Sequence, residues 1–168
     1  RSSDLDATAK SPTVARGWQC ALTVPRELSM RDGKLCQQPV HEIERMRGDC
    51  VCATGGETVE EPGRLFDLVV SCEGAQVIEL EIRKGVFVRY ADGMLTLDMG
   101  DEGYGRDQRS IELSELRDLR VLSDTTMAEI FANGGEAALT SRTYSPAVPA
   151  MELHAEGAVS MNFYRLVH

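Results

Sequence analysis

Between Val77 and Gly100 the chain reads VIELEIRKGVFVRYADGMLTLDMG, and apolar residues fall on alternate positions almost throughout. Ile78, Leu80 and Ile82 alternate with Glu79, Glu81 and Arg83; Val86, Val88 and Tyr90 lead into Asp92-Gly93, and Leu95, Leu97 and Met99 lead out. Successive strand side chains point to opposite faces, so this period predicts strands with one face on a core and one in water. The same alternation runs through Cys20, Leu22 and Val24, on to Leu28 and Met30, through Phe66, Leu68, Val70 and Cys72, and again through Val159, Met161 and Phe163.

Turn chemistry agrees with that period. RDGK (31–34), ADGM (91–94) and NGGE (133–136) each set Asp-Gly or Asn-Gly between two runs. Asn, Asp and Gly tolerate the positive φ of tight hairpin turns. Only PVHEIERMR (39–47) and SELRDL (114–119) have helical character, and TGGETVEEPG (54–63) and EGYGRD (102–107) read as polar loops. Regularly spaced turn signals predict an all-β, antiparallel two-sheet β-sandwich, with a barrel as the competitor. Residues 1–16 are expected to be a flexible polar leader or linker, and 17–168 one sandwich domain; the start RSSDLDATAK reads as that of an excised or processed piece.

Several function classes are excluded. The net charge of −9 comes with no dense basic cluster, which argues against nucleic acid and against an acidic membrane surface. No apolar run approaches a membrane span. Five cysteines cannot all pair. Cys20, Cys36 and Cys72 lie in strand-like runs that suit buried thiols, and Cys50-x-Cys52 lacks the second pair or His cluster of a zinc site. Reduced thiols, no metal and no cofactor are expected, in a reducing compartment such as a bacterial cytoplasm, with a secreted parent as the alternative.

In SDTTMAEIFANGGEAALTSR (123–142), Asp124 and Glu129 invite comparison with the paired carboxylates of glycosidases, which must face one bond from a few ångströms apart. On one regular strand, five residues apart, they point to opposite faces. Asp124 is expected to fix a strand end or turn, and Glu129 to meet a basic group or a neighbouring surface. No G-x-S-x-G elbow, H-E-x-x-H pair or phosphate-cradling loop occurs, so no catalytic residue is assigned. Trp18, the single tryptophan, is expected to anchor a neighbouring domain rather than to stack on a sugar.

Two long segments resemble the β-fructosidases of glycoside hydrolase family 32. The first is GWQCALTVPRELSMRDGKLCQQPVHEIERMR (17–47), through Gly17, Trp18, Ala21, Leu22, Thr23, Pro25, Arg26, Glu27, Leu28, Asp32, Gly33, Leu35, Gln37 and Pro39. The second is LRVLSDTTMAEIFANGGEAALTSRTYSP (119–146), through Asp124, Glu129, Phe131, Asn133, Gly135, Glu136, Thr140, Ser141 and Arg142. It departs from the family where Thr126 and Met127 replace a Ser-Ser pair and where Gly134 replaces an Asp.

The resemblance implies the C-terminal β-sandwich of an enzyme that cleaves sucrose, sucrose 6-phosphate or fructans. In that family the catalytic acids belong to an N-terminal β-propeller, whose Asn-Asp-Pro, Arg-Asp-Pro and Glu-Cys motifs do not occur here. The implied partner is that propeller, on the same polypeptide. Trp18, Pro25, Arg26, Glu27, Glu129 and Phe131 are expected at the interdomain interface, and homo-oligomers are possible. The competing expectation is a fructan-binding module that takes a fructose-containing saccharide, with Tyr104, Arg106 and Asp107 as the sugar contacts.

Overall fold

A computed structural model describes residues 11–72 and 74–167. Its strands are β1 (Arg26–Arg31), β2 (Lys34–Pro39), β3 (Arg47–Thr54), β4 (Thr58–Glu60), β5 (Phe66–Ser71), β6 (Val77–Arg83) and β7 (Val86–Ala91). There follow β8 (Met94–Asp98), β9 (Gln108–Glu112), β10 (Asp118–Ser123), β11 (Met127–Ala132), β12 (Ala137–Arg142), β13 (Ala150–Glu156) and β14 (Ser160–Leu166). Short 3-10 turns occupy Pro12–Arg16, His41–Met46 and Gly100–Gly103. The front sheet runs β12-β11-β10-β5-β14-β3, the back sheet β4-β13-β6-β7-β8-β9, and β1 and β2 form a separate hairpin. The expected antiparallel sandwich is therefore what the chain forms.

The alternation sets the core. Phe66, Leu68, Val70, Val121, Ile130 and Phe163 of the front sheet are sealed from solvent, as are Leu80, Ile82, Val88, Leu97 and Leu153 of the back sheet. Phe66 and Phe163 stack at 5.3 Å between ring centroids. Each such side chain contributes about 1.5–3 kcal/mol by leaving water. The Asp-Gly turns behave as the sequence requires: Asp32 and Gly33 have φ of 49° and 76°, Asp92 and Gly93 of 50° and 72°. Positive φ at both central positions matches the twist of the flanking strands.

Four expectations need correction. The front sheet does not leave the whole of its outer face in water: every residue of β11 is buried, and Asp67, on the outer side of β5, is fully covered, while the outer side of β3 stays exposed. Residues 24–47 lie across that outer face as a strap, forming a partial third layer. The alternating stretch 19–24 is not a strand, and Leu22 is 94% exposed; alternation alone makes no strand where no partner edge is available. SELRDL is extended rather than helical, because the buried Asn133 side chain accepts from Arg117 N–H at 2.8 Å and donates to the Glu115 carbonyl at 2.8 Å. Within the expected loop 54–63, Val59 is buried and makes β4 a short edge strand.

Of the expected leader, residues 1–10 lie outside the described residues. Thr13, in the turn Pro12–Arg16, is buried and accepts from Arg142 Nη2 at 3.1 Å. Cys36 and Cys72 are buried as expected, whereas Cys20 is exposed, as are Cys50 and Cys52. Burial, with Asp118 nearby, pushes the Cys72 thiol up to about 12. Thiolate is the reactive form, so brief labelling with iodoacetamide near pH 8 will modify Cys20, Cys50 and Cys52 about tenfold faster than Cys36 or Cys72, as read by peptide mass mapping.

Candidate functional site

The strap is held on the front sheet by two buried carboxylates. Glu129, on β11 and 3% exposed, accepts from the Val24 backbone N–H at 2.7 Å through Oε1 and from Arg26 Nη2 at 2.5 Å through Oε2. Arg26 also donates to Thr140 Oγ1 at 2.8 Å and to Gln37 Oε1 at 3.0 Å, and its guanidinium lies 5.0 Å from the Phe131 ring centroid. Charge-assisted bonds of this kind hold better than neutral ones, and aromatic faces favour a cation above them. The expectation that Glu129 meets a basic group is met by Arg26.

Asp67 is the second anchor. It accepts from Arg47 Nε at 2.8 Å, from Arg120 Nε at 2.9 Å and from Arg120 Nη2 at 2.7 Å. Arg47 begins β3 at the end of the strap and covers the Tyr164 ring at 4.4 Å. A third contact is backbone to backbone: Gln37 N–H donates to the Gly135 carbonyl at 2.8 Å, while Arg31 donates to the Gly134 carbonyl and Lys34 pairs with Glu136. Lys34, with Arg117 second, holds the Glu136 carboxyl below its ordinary value.

Asp124 and Glu129 are not on one strand, since Ser123 ends β10 and Met127 begins β11, so the opposite-face expectation for a single regular strand does not apply to them. Asp124 caps the turn between, its Oδ1 accepting from Thr125 N–H at 2.5 Å. Both acids border an apolar groove of about 290 Å³, with Val24, Ile43, Met46 and Met127. Both Glu129 oxygens are engaged by the strap, so that carboxylate is committed to structure.

The residues expected at an interface separate into two groups. Trp18, Pro25 and Glu27 are exposed, Trp18 at 40% with the Arg142 guanidinium 5.6 Å from its ring. Arg26, Glu129 and Phe131 turn inward and fasten the strap, so Glu129 and Phe131 cannot offer the surface expected of them; the strap's own residues cover them. Leu28, Met30 and Leu35 of the hairpin are left 65%, 67% and 54% exposed, with Met30 directly opposite Leu35 in register. Tyr104, Arg106 and Asp107 share one loop, where Tyr104 meets Tyr144 edge-to-face at 5.5 Å. Glu27, His41 and Glu42 form the one cluster with metal-ligand spacing among the described residues, all exposed within 4.8 Å. Both His41 ring nitrogens there face carboxylates, at 3.3 and 3.5 Å.

Replacing Glu129 by Gln removes the charge that Arg26 faces but keeps its shape. We expect a stability loss of about 1.5–3 kcal/mol in urea unfolding, together with faster proteolysis within 24–47. An unchanged cleavage pattern would contradict the anchoring role.

Sheet order, core and strap together define an all-β antiparallel sandwich whose outer front face is roofed by its own N-terminal segment. Residues 86–166 match the family described as Glycosyl hydrolases family 32 C terminal, and the chain belongs to that family as its C-terminal β-sandwich domain. It is 36% identical over 161 residues to the raffinose invertase of Escherichia coli, covering 81% of this chain and 32% of that protein. Against the sucrose-6-phosphate hydrolase of Salmonella typhimurium it is 31% identical over 145 residues, covering 81% and 28%. The chain thus spans about a third of the length of the curated relatives it matches. In fold it is similar to the sucrose-6-phosphate hydrolase structure from Lactobacillus gasseri, with a TM-score of 0.81 at 19% identity over 95% of this chain and 36% of that one. The exo-inulinase of Aspergillus awamori gives 0.71 at 17% identity, over 89% and 36%. Among the described residues, no helix is long and apolar enough to cross a membrane.

Proposed function

We propose that this domain is the non-catalytic partner of a β-fructofuranosidase-type catalytic propeller on the same polypeptide, and that it supports that propeller by packing against it through the strap. The parent reaction is hydrolysis of a fructoside in sucrose, sucrose 6-phosphate or a fructan, a class supported by relatives and fold neighbours named as a raffinose invertase, a sucrose-6-phosphate hydrolase and an exo-inulinase. One observation carries the reading. Five of the ten exposed large apolar side chains lie within 18–35, Trp18 and Leu22 just before the strap and Leu28, Met30 and Leu35 on its hairpin, beside Arg26, Arg31 and Lys34, which are already bonded to the sheet; Val14, Val51, Met94, Tyr104 and Val167 are spread over the rest of the described residues. Clustered apolar exposure beside satisfied polar groups suits a protein surface better than water.

The purified chain is expected to release no fructose from sucrose, sucrose 6-phosphate or inulin. Serine at Leu28, Met30 and Leu35 together is expected to lower the melting temperature of the full-length parent while leaving that of the isolated chain within a few degrees. Hydrolysis by the chain alone, or a parent indifferent to the triple change, sinks the proposal. The competing reading, a fructan-binding module, rests on Tyr104, Arg106 and Asp107 in one loop. Calorimetry with levan, inulin and fructose decides it, since heat at millimolar ligand that disappears in Tyr104→Ala supports sugar binding.

A further inference from the structure

The outer side of β3 carries a pair of thiols that the strap does not cover. Cys50 and Cys52 are two residues apart on one strand, and both are exposed. Their register partners on β14 are Tyr164 and Asn162, whereas Val51 and Ala53 oppose Phe163 and Met161 on the core side. The two cysteines therefore project together, away from the core, and their Sγ atoms lie 3.4 Å apart in a shared S–H···S hydrogen bond. Among the described residues β3 is the last strand of its sheet and is bonded only to β14, so its outer edge is free to pucker. Alternate Cα atoms on a strand are about 6.6 Å apart, inside the span of roughly 4.4–6.8 Å that a disulfide bridges.

We propose that Cys50 and Cys52 are a dithiol modification site, oxidised to an intrastrand disulfide by low-molecular-weight disulfides of the glutathione class. The Cys50 thiolate attacks one sulfur of the reagent; that S–S bond breaks and the first thiol leaves with the proton that Cys50 gave up. The Cys52 thiol then loses its proton and attacks the Cys50 sulfur of the mixed disulfide, expelling the second thiol. Two cysteine thiols are oxidised, one reagent disulfide is reduced, and two reagent thiols are released. The 3.4 Å between the Sγ atoms puts Cys52 within reach to resolve the Cys50 adduct, and the hydrogen bond and charge of Cys50 raise the Cys52 thiol above its ordinary value. Cys20, exposed but with no second thiol beside it among the described residues, is the internal comparison: it stops at the mixed disulfide.

The test incubates the full 168-residue chain in glutathione buffers of stepped oxidation, blocks free thiols with iodoacetamide and maps the peptides. The expected product is a peptide containing both Cys50 and Cys52 that has lost two hydrogens and carries no glutathione. It forms at a ratio of oxidised to reduced glutathione about tenfold lower than the one that modifies Cys20. In Cys52→Ser, Cys50 is expected to accumulate as the glutathione adduct, because the resolving thiol is gone; circular dichroism of that variant checks that the sandwich is intact. Glutathione on both cysteines of the unsubstituted chain, or Cys50 and Cys52 still free where Cys20 is modified, overturns the proposal. Failure here leaves the propeller-supporting role untouched, since the thiol pair lies outside the hairpin's apolar cluster.

Discussion

Alanine at Gly135 is expected to lift the strap off the front sheet. Gly135 has a φ of 86°, and a Cβ there would collide with the Gln37 carbonyl oxygen and fall 2.5 Å from its carbonyl carbon. Both atoms are backbone, so no side-chain rotation relieves the contact. The left-handed backbone costs an L-residue about 1–2 kcal/mol. Losing the Gln37-to-Gly135 hydrogen bond adds about 1 kcal/mol, and displaced strap contacts bring the expected total to about 3 kcal/mol or more. Gly134→Ala is the informative neighbour. The three atoms nearest its Cβ would be the movable ends of Arg31 and Gln38, at 2.5 to 3.0 Å, and its cost should be about half. Urea midpoints, paired with the protease sensitivity of 24–47, measure the difference. Equal effects for the two glycines would show that the close approach of Gln37 does not govern docking.

Asp67→Ala should be the most damaging side-chain change on the outer face. The carboxylate is fully covered and serves two guanidiniums, Arg47 at 18% and Arg120 at 16% side-chain exposure. Removing it leaves two largely desolvated cations with the half-exposed Glu44 carboxylate, 3.7 Å from Arg47 and 3.5 Å from Arg120, as their remaining counter-charge among the described residues. Breaking a buried pair in this way costs about 3–5 kcal/mol, a large part of the roughly 5–15 kcal/mol that holds a domain together. For a chain of this size that corresponds to a fall on the order of 10 °C in melting temperature. Asp67→Asn, which keeps an acceptor oxygen, should fall by less. Differential scanning calorimetry reads both, and an alanine variant that melts with the unsubstituted protein would remove Asp67 from the anchoring scheme.

What could be read from the sequence depended on how local its cause was. The β6–β7–β8 meander was legible because alternation and the Asp92-Gly93 turn lie within a few residues of one another. Glu129 was legible in kind, as an acid that needs a basic partner, but Arg26 lies 103 residues away and nothing local identifies it. Asp67 looked like one more solvated residue on an alternating strand; only the strap above it explains an Asp in that position. The reverse error came at 19–24, where the pattern of a strand is present and the neighbour that would complete it is not among the described residues. SELRDL failed for a related reason, since a distant asparagine holds two of its backbone groups.

The fastenings of the strap also dictate an order of events during folding. Val24 and Arg26 meet Glu129 across 105 and 103 residues, and Lys34 meets Glu136 across 102. Closing loops of that length is entropically costly before the landing surface exists. On the ribosome the hairpin emerges about a hundred residues before the β11–β12 edge that receives it. The Val24 N–H, Arg26 and Lys34 therefore stay hydrated throughout that interval, and the strap closes over the sheet only after its landing strands have formed.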